Sequence, residues 1–143
     1  MPYLNVKICG DAVVETTNKV AAFLTELTAE ELGKKKALIS IAIEYLPPSQ
    51  WFIGGGALPL QGLATFFLEI KVTEGTNTKN EKASYIEKIF AAFESVLGEL
   101  NSASYIVIQE IRADSWGYEG ASQEFRYIEG TGRAPQAKSL KFI

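Results

Sequence analysis

Histidine is absent from this 143-residue chain, and cysteine and methionine occur once each. Without imidazole there is no Ser-His-Asp triad, no His-ligated metal site and no histidine general base. The lone Cys9 has no partner for an internal disulfide, which points to a reducing, cytoplasmic setting. Arginine is scarce as well: Arg112, Arg126 and Arg133 are the full complement, and they do not cluster. With a net charge of −3 the chain shows no basic footprint for nucleic acid, and an acidic surface disfavours anionic membranes. No apolar run approaches the roughly 20 residues of a membrane span, and no charged segment leads into a signal-type apolar core. No metal or cofactor is expected. Any chemistry must come from other groups.

What is present is a duplicated pattern. Hydrophobic residues make up 47% and charged residues 22%, which is ordinary for one globular domain, taken as residues 1–143. Leu4, Val6 and Ile8 alternate with Tyr3, Asn5 and Lys7, the period of a half-buried strand. The same alternation returns 64 residues later at Leu68, Ile70 and Val72. Two further strands are expected over Ala37 to Leu46 and Tyr105 to Ile111. Between the members of each pair lies helical sequence. Thr78-Lys79-Asn80-Glu81 reads as a capping box, followed by Ile86, Ile89, Phe90, Phe93, Leu97 and Leu100 at helical spacing. In the first half Val13, Val14, Val20, Phe23, Leu24 and Leu27 form the stripe, and Thr28-Ala29-Glu30-Glu31 reads as the cap of a further short turn before Gly33. After each second strand comes a Trp-x-x-x-Gly corner: Trp51 to Gly55, and 65 residues on, Trp116 to Gly120. Repetition in the same order marks an internal repeat.

The expected architecture is therefore α/β: two tandem β-α-β units forming a four-stranded sheet with two helices on one face. The units are drawn at residues 2–63 and 64–128, with 129–143 as a C-terminal tail. The other face of the sheet mixes Asn5, Lys7, Ser40, Glu44, Glu69, Lys71 and Gln109 with apolar residues, as a solvated or intersubunit surface would. Gln123, Phe125 and Tyr127 read as a short alternating stretch, and the polar residues after Gly130-Thr131-Gly132 read as an arm onto a neighbour.

A Met1-Pro2 start, the β-α-β duplication and Gln50-Trp51-Phe52-Ile53-Gly54-Gly55 together resemble the tautomerase superfamily. Each half is similar to the short 4-oxalocrotonate tautomerase subunit. The full length is similar to the fused members typified by cis-3-chloroacrylate dehalogenase, with a fold also like that of MIF. The resemblance covers roughly residues 2 to 128. It implies a homotrimer, a small-molecule carbonyl or carboxylate substrate, and keto-enol tautomerisation of a small 2-keto acid with Pro2 as catalytic general base. The alternatives it leaves are a decarboxylase or hydratase of the same superfamily, or a non-catalytic trimeric protein that binds a ligand or another protein. Proline behind the initiator methionine permits removal of Met1, which frees a secondary amine; in a chain that keeps Met1 the Pro2 nitrogen is an amide and is not a base. An exposed α-amino group titrates at about 7.7–8, and burial or nearby cations lower that value.

The chain departs from the family where substrate carboxylates are held. Thr73 and Thr76 stand where the fused dehalogenases carry two arginines, and the arginine of the short tautomerases falls on Ser40 in one half and Tyr105 in the other. Phe66 occupies the proline-equivalent position of the second half, so one proline site per chain is expected. Candidate replacements are Lys79 with the amides opening its helix, Arg112 and Arg126 for positive charge, Tyr105, Trp116 and Tyr118 as an aromatic wall, and Glu119 as a corner carboxylate. Each also has a plainer reading: surface ion pairs for the arginines, a solvated helix start for Lys79, corner packing for Trp116 and an exposed turn residue for Glu119.

Overall fold

A computed structural model describes residues 2–58 and 62–130. Met1 and, from the tail expected over 129–143, residues 131–143 with the expected arm lie outside the described residues. Strand β1 (Tyr3–Cys9) alternates as the sequence predicts, burying Leu4, Val6 and Ile8 and leaving Tyr3, Asn5 and Lys7 on the open face. Helix α1 (Val14–Leu32) follows and stops at Gly33, whose φ of 68° is a left-handed turn that costs glycine little. A single 3-10 turn (Lys36–Leu38) replaces the first residues of the expected second strand, so β2 runs only Ser40–Leu46. The first corner is a small hairpin, β3 (Phe52–Ile53) with β4 (Gly56–Ala57).

The second unit repeats this order. Strand β5 (Phe66–Thr73) leads to α2 (Lys79–Leu97), then β6 (Tyr105–Ile111) and the hairpin β7 (Gly117–Tyr118) with β8 (Ala121–Ser122). The expected capping box is formed: Thr78 Oγ1 accepts from the Glu81 amide at 3.1 Å, and the Glu81 carboxylate accepts from the Thr78 amide at 2.7 Å. That backbone donor chiefly holds the Glu81 carboxyl below its usual range.

The sheet order is β2-β1-β5-β6, with β1 parallel to β2, β5 parallel to β6, and the two units joined antiparallel at β1–β5. Tyr3 lies opposite Lys71 and Lys7 opposite Phe67, so the units are related by a pseudo-twofold between the central strands. Both helices cover one face, packing Val20, Leu24, Ile89 and Phe93 onto the buried residues of β1 and β5. Phe66 stacks on Phe93 at 3.8 Å between centroids, and Phe23 meets Phe93 edge-on at 4.9 Å.

Three expectations are corrected. Thr28 caps no separate turn; it is buried near the C-terminal end of one continuous α1, where its hydroxyl bonds that of Tyr85 at 2.8 Å. The hydrogen bond to Tyr85 satisfies the buried hydroxyl, which is why a polar side chain is tolerated on that face. Val13 and Val14, placed in the apolar stripe, are exposed, because the stripe begins nearly two turns later at Val20. Gln123, Phe125 and Tyr127 belong to α3 (Gln123–Gly130) rather than to an extended stretch: Ser122 Oγ accepts from the Phe125 amide at 3.0 Å, a cap that starts a helix.

Candidate active site

Pro2 is buried at the head of β1, where its carbonyl accepts from the Ser40 amide at 3.3 Å. It lines a cavity of about 180 Å³ together with Leu38, Ser40, Trp116, Tyr118 and Gln123. The wall comes from three segments that the fold brings together: the end of the 3-10 turn before β2, the second hairpin, and the first residue of α3. Trp116 is fixed by its indole N–H, which donates to Thr73 Oγ1 at 3.2 Å. The hairpin permits only glycine at 117, because a Cβ there would fall on the Ala121 carbonyl.

A larger cavity of about 700 Å³ adjoins the first, sharing Leu38, Tyr118 and Gln123 as walls. Arg126 is at its edge. Its guanidinium lies over the Tyr118 ring at 3.9 Å and donates to the Tyr118 carbonyl at 2.9 Å, so the charge is held in one place. Lys34 lines the same cavity and donates to Thr76 Oγ1 at 3.0 Å. Partial burial lowers the Lys34 pKa from the ordinary lysine value, opposed by the nearby Glu81 carboxylate. The threonine loop thus meets a cation supplied by the first unit.

The remaining candidates are placed elsewhere. Arg112 points into solvent in a two-pronged ion pair with Asp114, which holds that carboxyl below the usual range. Lys79 is exposed at the start of α2 and lines neither cavity. Glu119 sits at the hairpin tip with φ of 53°, 71% exposed and 3.5 Å from Arg126. Tyr105 lines a different cavity at the opposite end of the sheet. Cys9 is partly buried and burial raises its thiol pKa, which opposes a nucleophilic role. Among the described residues no cluster of three His, Cys, Asp or Glu is arranged to hold a metal, and no helix is long and apolar enough to cross a membrane.

Residues 67–126 match the family model described as Tautomerase enzyme. Among solved structures, a fused 4-OT wild-type symmetric trimer superposes with a TM-score of 0.75 at 19% identity, covering 85% of this chain and 96% of that one. A macrophage migration inhibitory factor-like protein from Entamoeba histolytica gives 0.69 at 18%, covering 85% and 97%. Pt0534, a structure of the protein inactivated by 2-oxo-3-pentynoate, gives 0.75 at 13%, covering 85% and 96%. The chain has the tautomerase fold. No curated protein matches it in sequence.

Within this tautomerase fold, Leu38, Lys34 and Gln123 are wall residues that sequence reasoning passed over. For Gln123 a signal existed. It is 65 residues after Leu58, and both backbone amides donate at 2.9 Å to the carbonyl of their hairpin tryptophan, Trp116 and Trp51. The duplication therefore exchanges a buried leucine for an amide. Gln123 Nε2 is buried with no hydrogen-bond partner among the described residues. An unsatisfied buried donor costs about 1–3 kcal/mol, so this one is held at a cavity wall against stability.

Proposed function

We propose that the chain is a tautomerase acting on a small 2-keto acid or related carbonyl compound, with Pro2 as general base once Met1 has been removed. The observation that carries this reading is Pro2 buried in a cavity wall beside the unpartnered amide of Gln123. Burial disfavours the charged form of an amine, the direction a general base needs. The neutral amine takes a proton from the carbon next to the carbonyl, the C–H electrons move to the carbonyl oxygen, and the resulting ammonium returns the proton to that oxygen. In this reading the Gln123 N–H donates to the developing enolate. Arg126 and Lys34, at the adjoining cavity, supply positive charge for a carboxylate in place of the family's loop arginines.

Hydration has less support, because it needs a carboxylate to activate water, and Glu119 is exposed and faces Arg126. We also propose a homotrimer, in keeping with the fused 4-OT trimers of the same fold. Exposed Tyr3 and Val107 are apolar surface that such an assembly would cover.

Three measurements test the assignment. Intact mass of the protein should show loss of Met1. Wild type should ketonise phenylpyruvate, and Pro2→Ala should lose the activity. Treatment with 2-oxo-3-pentynoate should add the full mass of the reagent at Pro2, since conjugate addition of the amine to the alkyne expels no leaving group. Equal rates for wild type and Pro2→Ala, or an adduct that survives Pro2→Ala, would remove Pro2 from the mechanism. A retained Met1 with no activity would favour the non-catalytic trimer.

A further inference from the structure

The pseudo-twofold that builds the Pro2 cavity builds a second one at the far end of the sheet. Phe66 stands where Pro2 stands, Phe67 where Tyr3 stands and Tyr105 where Ser40 stands. Trp51 and Ile53 of the first hairpin take the places of Trp116 and Tyr118. These residues line a cavity of about 550 Å³, against about 180 Å³ for the one around Pro2. Its volume falls in the range of small-molecule sites, and five of its eleven lining residues are aromatic.

The charge at this cavity also differs between the halves. In the second unit Lys71 is consumed by its neighbours, donating to Glu69 at 2.7 Å and to Gln109 at 2.8 Å. Its counterpart in the first unit is Lys7, where the equivalent positions hold Asn5 and Glu44. Lys7 lines the aromatic cavity and reaches Glu44 only at 4.0 Å. A partly exposed ammonium beside aromatic rings thus has one carboxylate, Glu44 at 4.0 Å, against the two partners within 2.8 Å that hold Lys71. Phe66, which replaces the proline, has no group that can move a proton.

We propose that this cavity is a non-catalytic binding site for a small aryl monocarboxylate, whose ring packs among Trp51, Phe67 and Tyr105 and whose carboxylate meets Lys7. Phenylacetate is the probe, with 2-phenylethanol as its uncharged counterpart. In amide-resolved NMR of the full chain, phenylacetate should shift Gly54, Tyr105 and the Trp51 indole saturably, and 2-phenylethanol should bind more weakly. Lys7→Gln should raise the half-saturation concentration about tenfold, the worth of one charge-assisted hydrogen bond. The same variant should retain wild-type phenylpyruvate turnover, and Pro2→Ala should retain the shifts, so the site is read independently of catalysis. Shifts confined to the 116–123 wall would overturn the proposal, as would an unchanged response in Lys7→Gln. Absence of any saturable shift would overturn it too, and would assign Phe52 and Tyr105 to contact between subunits.

Discussion

The hydroxyl pair that joins the two helices offers a quantitative test of how the duplicated units are tied together. Thr28 and Tyr85 are both 0% exposed, and their hydroxyls are 2.8 Å apart across the α1–α2 contact. Each single substitution deletes one partner and strands the other. In Tyr85→Phe, the remaining Thr28 hydroxyl can turn to the carbonyl one helical turn back, so the loss should be about 1 kcal/mol. In Thr28→Val, the Tyr85 hydroxyl sits at the end of a rigid ring in an apolar interior with no such recourse. That loss should be about 2–3 kcal/mol, the upper range for an unsatisfied buried group. The double variant removes both polar groups and should cost only about 1 kcal/mol, well below the sum of the singles. Urea unfolding followed by circular dichroism reads these values, at one fixed protein concentration because assembly would shift the midpoint. With a slope of about 2 kcal/mol per molar urea, Thr28→Val should lower the midpoint by about 1 M. A Tyr85→Phe loss as large as that of Thr28→Val, or additive singles, would refute the reasoning.

Burial pushes the Tyr85 phenol up to about 12 from an ordinary value of 10.0. Below pH 10 both states keep the proton; above it the unfolded chain releases the proton and the native state does not. Stability should therefore fall by roughly 1.4 kcal/mol per pH unit between pH 10 and 12, and Tyr85→Phe should show a shallower fall in the same titration. Arg126→Leu should raise KM for a keto acid about tenfold with a smaller change in kcat, whereas Arg112→Leu should leave both unchanged, since its partner Asp114 and its exposure place it outside the cavity. Gln123→Leu recreates the residue of the first half; it should keep or raise the thermal midpoint while lowering kcat/KM at least tenfold. Gly117→Ala should reduce stability by about 1–3 kcal/mol and turnover with it, because the β-carbon meets the Ala121 carbonyl and opens the hairpin that carries Trp116.

The sequence by itself determined the local content of the fold and its repetition. Alternation at Leu4, Val6 and Ile8 and again at Leu68, Ile70 and Val72 is a statement about which side of a strand leaves water, and neighbouring residues suffice to make it. The capping box at Thr78 and Glu81 is likewise a contract between residues three apart. Thr28 and the segment after Ser122 were misread for the same reason. Thr28 is a good cap by type, and only the Tyr85 hydroxyl from 57 residues away makes it a core residue. Period-two polarity at Gln123, Phe125 and Tyr127 does not reveal that the Ser122 hydroxyl starts a helix there.

The tertiary structure decided which candidates share a cavity. Two arginines of equal promise in the sequence part company because one lies over Tyr118 and the other closes on Asp114 within its own loop. Lys34 and Gln123, unremarkable in sequence, line the adjoining cavities because the antiparallel β1–β5 joint carries the second hairpin to the head of β1. Polarity patterns record how each segment meets water. A candidate site drawn from residues 2, 118 and 123, with 34 in the adjoining cavity, depends on how distant segments meet one another, and that is set by strand order and register.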